Sequence, residues 1–266
     1  MSDIVVPASW VVDRLDDLRV VDVRDPWEYD GIGHVPGAVN IPFDAFRADE
    51  HAADGEGGGE GMLPGEDVFA DLLGEAGIAR EDDVVAYDDH HGVFAARFLV
   101  TAELYGHPTD RLHLLDGDFS AWQRDHETNG DAPDVEPTTY DIRAPSETPL
   151  VDADAVAAAI DDPDTVIVDT REDWEFEESH IPGAVAVDWR ELVDDETRGL
   201  KSREDIEAIL ADAGITPDKR VLLYCNTARR ISHTYVVLRH LGYSDLAFYE
   251  GSLTEWEAAG RPVESA

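Results

Sequence analysis

Cysteine and long apolar runs are scarce in this 266-residue chain. The single cysteine, Cys225, excludes an intramolecular disulfide and a structural zinc site built on several cysteines, so we expect the fold to be held by packing alone. No apolar run reaches the roughly 18 residues of a membrane-spanning helix, so we expect no membrane partner. The N-terminal sequence has no basic segment ahead of a long apolar stretch, which predicts a cytoplasmic location without a secretory signal.

Positive charge is scarce as well. Acidic residues number 60 against 20 lysines and arginines, and Lys201 and Lys219 are the only lysines. The formal net charge of -40 argues against a nucleic-acid partner. Acid runs such as Glu81-Asp82-Asp83 repel one another in dilute buffer, whereas molar salt shortens the Debye length to about 3 Å and screens them. An ordinary acidic protein is the alternative, but the charge and the lysine scarcity together favour a halophilic protein.

An internal repeat spans most of the chain. The segment VVDVRDPWEYDGIGHVPGAVNIPF matches VIVDTREDWEFEESHIPGAVAVDW in the second half, so that Asp22 and Arg24 are equivalent to Asp169 and Arg171. Further along, LLGEAGIAREDDVVAYDDH matches ILADAGITPDKRVLLYCNT, and LLDGDFSAWQ matches FYEGSLTEWE. A shared period of roughly 140 residues is far longer than a solenoid unit and indicates two similarly folded domains.

Strand and helix patterns within each half predict an α/β fold. The runs VVAY and VLLY are typical of buried parallel strands, and residues 227–240 have a helical period that Gly242 ends. We therefore expect two similar domains, each a mostly parallel sheet flanked by helices, in residues 1–135 and 150–266, joined by a linker over 136–149.

The stretch HAADGEGGGEGM, residues 51–62, has no counterpart in the second half. Its glycine and acid content predicts a mobile surface loop. A phosphate-binding loop is the more specific alternative, but no lysine or helix start follows at the required spacing.

The motifs of both halves together resemble the tandem-domain rhodaneses, a family of thiosulfate and 3-mercaptopyruvate sulfurtransferases. The features concerned are the paired halves, the Asp-x-Arg motifs followed by His-(Val/Ile)-Pro-Gly-Ala, and the Tyr-Cys end of the VLLY strand. In that family the second domain holds the catalytic cysteine and the first has aspartate in its place; here Cys225 follows Tyr224 and Asp88 follows Tyr87. The resemblance implies a non-catalytic first domain, in which we expect Asp88 to cap a helix, and it implies no metal or organic cofactor.

Cys225 is the expected nucleophile, although one buried cysteine taken alone could equally be a small apolar filler. The helix that follows and its arginines would favour the thiolate. The resemblance implies that Cys225 takes a sulfur atom from a small-molecule donor, thiosulfate first and 3-mercaptopyruvate second, and passes it as a persulfide to a thiol or cyanide acceptor. The residues expected to bind the donor are Arg230, Arg229, Asn226, Thr227, Ala228 and Arg171.

Two other functions stay open: a cysteine phosphatase or arsenate reductase, and a non-catalytic sulfur carrier. In the wider family a six-residue loop goes with sulfur and a seven-residue loop with phosphate or arsenate. Arg230 is the fifth residue after Cys225 rather than the sixth, which disfavours the phosphatase. The donor is also open, because Asn226, Thr227 and Ala228 replace the usual loop residues and Glu175 stands where the family tends to have a donor-binding arginine.

Residues that recur in both halves are interpreted as structural. For Arg171 a donor contact is the alternative, and for the histidines it is acid–base catalysis. The recurring residues are Arg24 and Arg171 as buried ion-pair partners, His34 and His180 as turn residues, and Trp122 and Trp256 as core aromatics. His233 lies in the helix after the loop, where a lone histidine is more often a surface or packing residue than a catalytic one.

Overall fold

The computed structural model of the chain describes residues 4–48 and 62–266. Of the glycine-rich stretch, residues 51–61 lie outside the described residues, so its two interpretations stay predictions. The chain divides into two compact units. The first comprises Met1–Ser146 with Asp195–Gly199, and the second comprises Glu147–Asp194 with Leu200–Ala266.

The described part of the first unit is a parallel sheet with helices around it. The five strands have the order β1-β5-β4-β2-β3, and every pairing is parallel. The strands are β1 (Val5–Val6), β2 (Leu18–Asp22), β3 (Val39–Asn40), β4 (Asp83–Tyr87) and β5 (Leu112–Leu115). The helices are α1 (Ala8–Val12), α2 (Pro26–Ile32), α3 (Glu66–Glu75), α4 (Val93–Leu104) and α5 (Phe119–Asp125), with 3-10 turns at Phe43–Phe46 and Thr109–Arg111.

The second unit repeats this order of elements. Its parallel strands have the order β7-β6-β8-β9, and a parallel bridge from Leu150 to Phe248 stands where β1 pairs in the first unit. The strands are β6 (Thr165–Asp169), β7 (Val185–Ala186), β8 (Arg220–Tyr224) and β9 (Leu246–Phe248). The helices are α6 (Ala153–Ala159), α7 (Asp173–Glu178), α8 (Arg203–Asp212), α9 (Arg229–Leu241) and α10 (Ser252–Ala258), with a 3-10 turn at Trp189–Leu192.

The predicted elements around the second-half loop are confirmed. The runs VVAY and VLLY form the buried interior strands β4 and β8, whose neighbours cover both edges. Helix α9 begins at Arg229, two residues later than its pattern indicated, and ends at Gly242, which has a left-handed φ of 97°. The side chain of an L-residue would crowd the backbone there, so glycine is the residue that ends the helix without strain.

A short segment of the second half packs with the first unit, which the repeat did not indicate. Within Asp195–Gly199, the Arg198 guanidinium contacts both carboxylate oxygens of Asp118 at 2.7 and 2.8 Å. Asp118 also accepts the Ala121 backbone N–H at 3.0 Å as the cap of α5. Asp118 is fully buried, so this guanidinium supplies the opposite charge that a buried carboxylate needs.

Each unit holds its strand ends together with the same buried ionic cluster. In the first unit Arg24 donates to both oxygens of Asp22, at 2.6 to 3.1 Å, and to the Gly33 carbonyl at 2.7 Å. The Tyr87 hydroxyl donates to Asp22 at 2.6 Å and accepts the Val35 backbone N–H at 3.0 Å. Burial, reinforced by the Asp22 carboxylate, raises the pKa of Tyr87, so its proton stays in this hydrogen bond. The prediction that the Asp-x-Arg arginine is a buried ion-pair partner is confirmed for Arg24.

Trp122 and Trp256 are the predicted core aromatics, and this is confirmed. Both are almost fully buried, and each lies in the apolar cluster of its own unit. The two indole N–H groups donate at 2.8 Å to the backbone carbonyls of Glu127 and Pro262. A buried tryptophan therefore contributes apolar area without leaving its polar atom unpaired.

Substitution of Asp22 by Asn tests this cluster. Removing one charge of a buried pair leaves the other uncompensated, so we expect Asp22→Asn to lower the free energy of unfolding of the first unit by about 3 kcal/mol or more. The matched control is Asp44→Asn, because Asp44 pairs with Arg47 at 2.8 Å but is 74% exposed. That loss should stay below about 1 kcal/mol in urea denaturation at constant high salt. Equal losses would show that the Asp22 pair does not stabilise the unit.

Candidate active site

Cys225 lies at the carboxyl end of an interior parallel strand. It follows β8 directly, and the loop Cys225–Ala228 joins this strand to α9. Its backbone N–H donates to the Ser252 hydroxyl at 3.1 Å, and its carbonyl accepts the Leu253 N–H at 3.0 Å. The residue is 1% exposed and has no disulfide partner in the chain. This edge of a parallel sheet is where α/β proteins bind their ligands, because strand ends and helix N-termini meet there.

The last residue of the loop has a left-handed backbone. Ala228 has φ 56° and ψ -19°, a conformation that costs a residue with a Cβ roughly 1 kcal/mol. Two contacts hold it: its carbonyl accepts the Ser232 hydroxyl at 2.7 Å and the Ser232 N–H at 3.3 Å. In the first unit Gly92 precedes α4 with φ 84° and needs no such support. These two contacts offset the conformational cost of the left-handed backbone at the turn that joins the Cys225 loop to α9.

The equivalent loop of the first unit is wrapped around a carboxylate. Asp88 is 1% exposed and accepts four backbone N–H groups, from His90 at 2.7 Å, Gly92 at 2.8 Å, Phe94 at 2.7 Å and Ala95 at 3.0 Å. Burial raises the pKa of Asp88, and the four N–H groups oppose that rise. Two of the donors lie in the first turn of α4, so the predicted helix-capping role of Asp88 is confirmed. A loop of this design can hold an anion with backbone dipoles.

Arg171 belongs to the second unit's ionic cluster and also reaches the loop. Its guanidinium donates to both oxygens of Asp169, at 2.7 to 3.1 Å, which confirms its predicted ion-pair role. A further N–H donates to the Asn226 side-chain oxygen at 3.3 Å. Tyr224 accepts the Ile181 N–H at 3.1 Å and is hydrogen-bonded to Asp169, as Tyr87 is to Asp22. The cluster therefore fixes the residue that directly precedes Cys225.

Arg230 forms an ion pair with Glu175, which the sequence did not indicate. Two of its nitrogens contact the two carboxylate oxygens of Glu175, one of them at 3.0 Å, and the side chains of both residues are nearly buried. The Asn226 amide also donates to Glu175 at 2.9 Å. Burial works against ionisation, but the hydrogen bonds from Arg230, the Glu172 N–H and Asn226 prevail and lower the pKa of Glu175. The pair therefore persists to a more acidic pH than an ordinary glutamate would allow.

The residues predicted to bind the donor fall into two groups. Arg171, Asn226 and Arg230 are joined through direct contacts or through Glu175, and Arg171 and Asn226 line a pocket of about 490 Å³. Thr227 is exposed at the loop, whereas Ala228 is buried and Arg229 is half-buried at the start of α9. The remaining pocket lining is Trp174, Glu175, Glu178, Ser179, Leu253 and Glu257. Sequence reasoning had singled out Glu175 but missed Glu178 and Glu257, because they come from α7 and α10 rather than from the loop.

The histidines have packing partners. His34 stacks on Tyr29 and His180 stacks on Phe176, each with ring centroids 3.8 Å apart. Their backbone groups pair with Asn129 and Glu264, in agreement with a turn-fixing role. His233 is fully buried in α9 with its ring 5.2 Å from that of Trp189, as expected of a packing residue.

Metal-binding clusters and membrane-spanning helices are both absent from the described part of the chain. Within residues 4–48 and 62–266, no group of three or more His, Cys, Asp or Glu side chains is placed to hold a metal ion. Among the helices that the structure describes, none is long and apolar enough to cross a membrane.

Comparisons with known proteins agree with the fold and with the repeat. The model of the rhodanese-like domain matches the chain twice, over residues 7–125 and 152–259. A Haloferax volcanii protein is 31% identical, with 99% of this chain and 96% of that protein covered. A Pseudomonas aeruginosa protein named thiosulfate sulfurtransferase is 30% identical, with 95% and 93% covered.

Solved structures give the same architecture. SseA of Escherichia coli, described as a 3-mercaptopyruvate sulfotransferase with the rhodanese fold, superposes with a TM-score of 0.78 at 25% identity, covering 95% of this chain and 99% of that one. Wild-type EanB superposes with a TM-score of 0.84 at 20% identity, covering 99% and 69%, which is a likeness of fold.

The chain therefore belongs to the rhodanese family. Both halves carry the domain, and relatives that match along nearly their whole length have sulfurtransferase names. Within the family, the chain is a two-domain sulfurtransferase that acts on small-molecule sulfur donors and acceptors.

The Asp88 loop can be tested by removing its anion. Asp88→Ala leaves four backbone N–H groups without their acceptor, so we expect the free energy of unfolding of the first unit to fall by about 2 kcal/mol or more. Asp88→Asn keeps one oxygen as an acceptor and should lose less. The control is Asp71→Ala, which removes an exposed carboxylate from α3 and should change stability by less than about 0.5 kcal/mol in the same denaturation experiment. Equal losses in Asp88→Ala and Asp71→Ala would contradict the anion-holding role.

Proposed function

We propose that this sulfurtransferase carries the transferred sulfur as a persulfide on Cys225. The main support is the comparison of the two loops: Cys225 follows Tyr224 where Asp88 follows Tyr87, and the Asp88 loop directs four backbone N–H groups at a carboxylate. The loop after Cys225 joins an equivalent strand to an equivalent helix. Backbone N–H groups around Cys225 would stabilise a thiolate and, after sulfur transfer, a persulfide anion.

The first half of the reaction loads the cysteine. The Cys225 thiolate attacks the outer sulfur of thiosulfate, an S–S bond forms to Cys225, and the bond to the inner sulfur breaks with its electron pair leaving on sulfite. With 3-mercaptopyruvate the carbon–sulfur bond breaks instead, and the thiol proton goes to the methyl group of pyruvate. Charge and atoms balance in both cases, and no external oxidant is consumed.

The second half returns the cysteine to its starting state. A thiolate or cyanide attacks the outer sulfur of the persulfide, and the electron pair of the breaking S–S bond returns to Cys225. Dividing the transfer into two exchanges lets donor and acceptor use the same cysteine in turn. Such a cycle needs a reduced cysteine, which agrees with a cytoplasmic location.

The donor site is proposed at the loop and the adjoining pocket. Asn226, Thr227 and the backbone of Ala228 offer hydrogen-bond donors, and Arg171 and Arg230 lie at its edge. Burial would lower the pKa of Arg230, but its hydrogen bond to Glu175 and the electrostatic attraction of Cys225 and Glu175 raise it. Arg230 is the second residue of the helix that follows the loop, and Arg229 is the first.

The predicted first domain is proposed as a non-catalytic partner. Residues 1–135 have Asp88 at the cysteine position, residues 150–266 supply the catalytic domain, and 136–149 connect them. A carboxylate that already accepts four N–H groups has neither a transferable sulfur nor room in its loop for a donor anion.

A mass measurement tests the proposal. Incubation with thiosulfate or 3-mercaptopyruvate should add one sulfur atom per chain, and Cys225→Ser should take up none, because Cys225 is the only thiol. Cyanide or a dithiol should then remove the sulfur and regenerate the starting mass. Sulfite or pyruvate should appear in equal amount.

Three results would contradict the proposal. No adduct with either donor would exclude the persulfide enzyme, and an adduct that no acceptor removes would indicate a carrier without turnover. Release of phosphate from an aryl phosphate, lost in Cys225→Ser, would indicate the phosphatase instead. The Glu175 contact with Arg230 argues against that last result, because a phosphate dianion needs an arginine whose charge is not already neutralised.

A further inference from the structure

Glu175 caps its helix and also contacts the cysteine loop, whereas its counterpart in the first unit, Glu28, caps its helix. Both Glu28 and Glu175 are the third residue of their helix and close a capping box, accepting the Asp25 N–H at 3.2 Å and the Glu172 N–H at 3.1 Å. Glu175 in addition contacts Arg230 and Asn226 of the cysteine loop. In the first unit the second residue of α4, equivalent to Arg230, is Phe94. The ion pair is therefore an addition to the cap and is confined to the unit with the cysteine.

The ion pair changes the charge that a donor meets at the loop. Of the three arginines expected to bind the donor, Arg171 is paired with Asp169 and Arg230 is paired with Glu175. The pocket beside them adds the exposed carboxylates of Glu178 and Glu257 and no further cation. Thiosulfate carries two negative charges and 3-mercaptopyruvate carries one. An anion entering this pocket therefore gains less from Arg230 than the sequence alone suggests, and a dianion is penalised more than a monoanion.

We propose that Glu175 sets the donor selectivity of the Cys225 site by neutralising Arg230, so that the site favours singly charged sulfur donors over the doubly charged thiosulfate. The inference rests on the proposed persulfide function and specifies its substrate class. Glu175 acts here through Arg230 and is a positioning residue, since it holds the guanidinium and cancels its charge.

The expected size of the effect follows from Coulomb's law. At a separation of about 6 Å in water-like surroundings, removing one negative charge favours a monoanion by about threefold and a dianion by about tenfold, because the energy is proportional to the ligand's charge. The ratio of the two donors' kcat/KM values should therefore shift by about threefold.

Glu175→Gln is the variant that isolates this charge. Glutamine at the third helical position still closes a capping box, and its amide oxygen can still accept a hydrogen bond from Arg230, so the cap is kept and the arginine retains one of its two contacts. We expect kcat/KM for thiosulfate to rise by about tenfold and that for 3-mercaptopyruvate by about threefold, mainly through KM. The assay follows sulfite and pyruvate release at the lowest salt that keeps the protein folded.

Glu28→Gln is the matched control. It makes the same chemical change in the equivalent capping box of the first unit, where Phe94 takes the position of Arg230, so the donor ratio should not change. In Glu175→Gln the gain with thiosulfate should shrink as salt is raised, because screening weakens the charge that has been uncovered. A merely structural effect of Glu175 would alter both donors equally and would not depend on salt in this way.

The outcomes separate the inference from the function on which it rests. If neither donor adds sulfur to Cys225 in the unmodified protein, the persulfide function fails and the selectivity proposal fails with it. If persulfide forms but the donor ratio in Glu175→Gln equals that of the unmodified protein or of Glu28→Gln, the function stands and the role of Glu175 is refuted.

Discussion

The buried contact between an aspartate at a strand end, the arginine two residues later and a tyrosine on the neighbouring strand is the interaction on which the site depends. In the second unit Asp169 ends β6 and Tyr224 ends β8, so their hydrogen bond holds two parallel strands level at the edge where Cys225 follows. Arg171 neutralises the buried carboxylate and extends the cluster to Asn226. Low surrounding polarity makes such contacts strong when every polar group is paired and costly when one is missing, so the position of the cysteine is fixed by groups that cannot easily change partners.

The same scaffold presents different side chains at the equivalent loop position of the two units. In the first unit this side chain is the carboxylate of Asp88, which accepts four backbone N–H groups. In the second, the residue at that position is a cysteine, and the helix begins four residues after it rather than five. The left-handed residue before the helix is glycine in one unit and alanine in the other. Strain is tolerated at Ala228 because Ser232 ties the turn down, and small stored strain of this kind is common beside reactive groups.

Much of the fold and part of the candidate site could be predicted from the sequence. The contacts that were not predicted have a physical reason in common. The strands β4 and β8, helix α9 and its end at Gly242 follow from local pattern, and the Asp88 cap follows from the repeat. The contact between Glu175 and Arg230 joins residues 55 positions apart, and neither local periodicity nor the repeat carries information about it, since the first unit has Phe94 at the position equivalent to Arg230. The contact of Arg198 with Asp118 was not predicted for the same reason. It depends on Asp195–Gly199, a segment of the second half of the sequence that belongs to the first unit.

The Asp88 loop also determines how many ligands a duplicated chain can hold. Its anion is covalently tethered, so its local concentration about the loop N–H groups is far above that of any dissolved competitor. In a chain with two related loops, one therefore already has its anion as a side chain, and under the proposed function a soluble anion would bind at the Cys225 loop alone, with one equivalent per polypeptide. Without the Asp88 carboxylate, the loop of the first unit would compete with the Cys225 loop for each donor molecule.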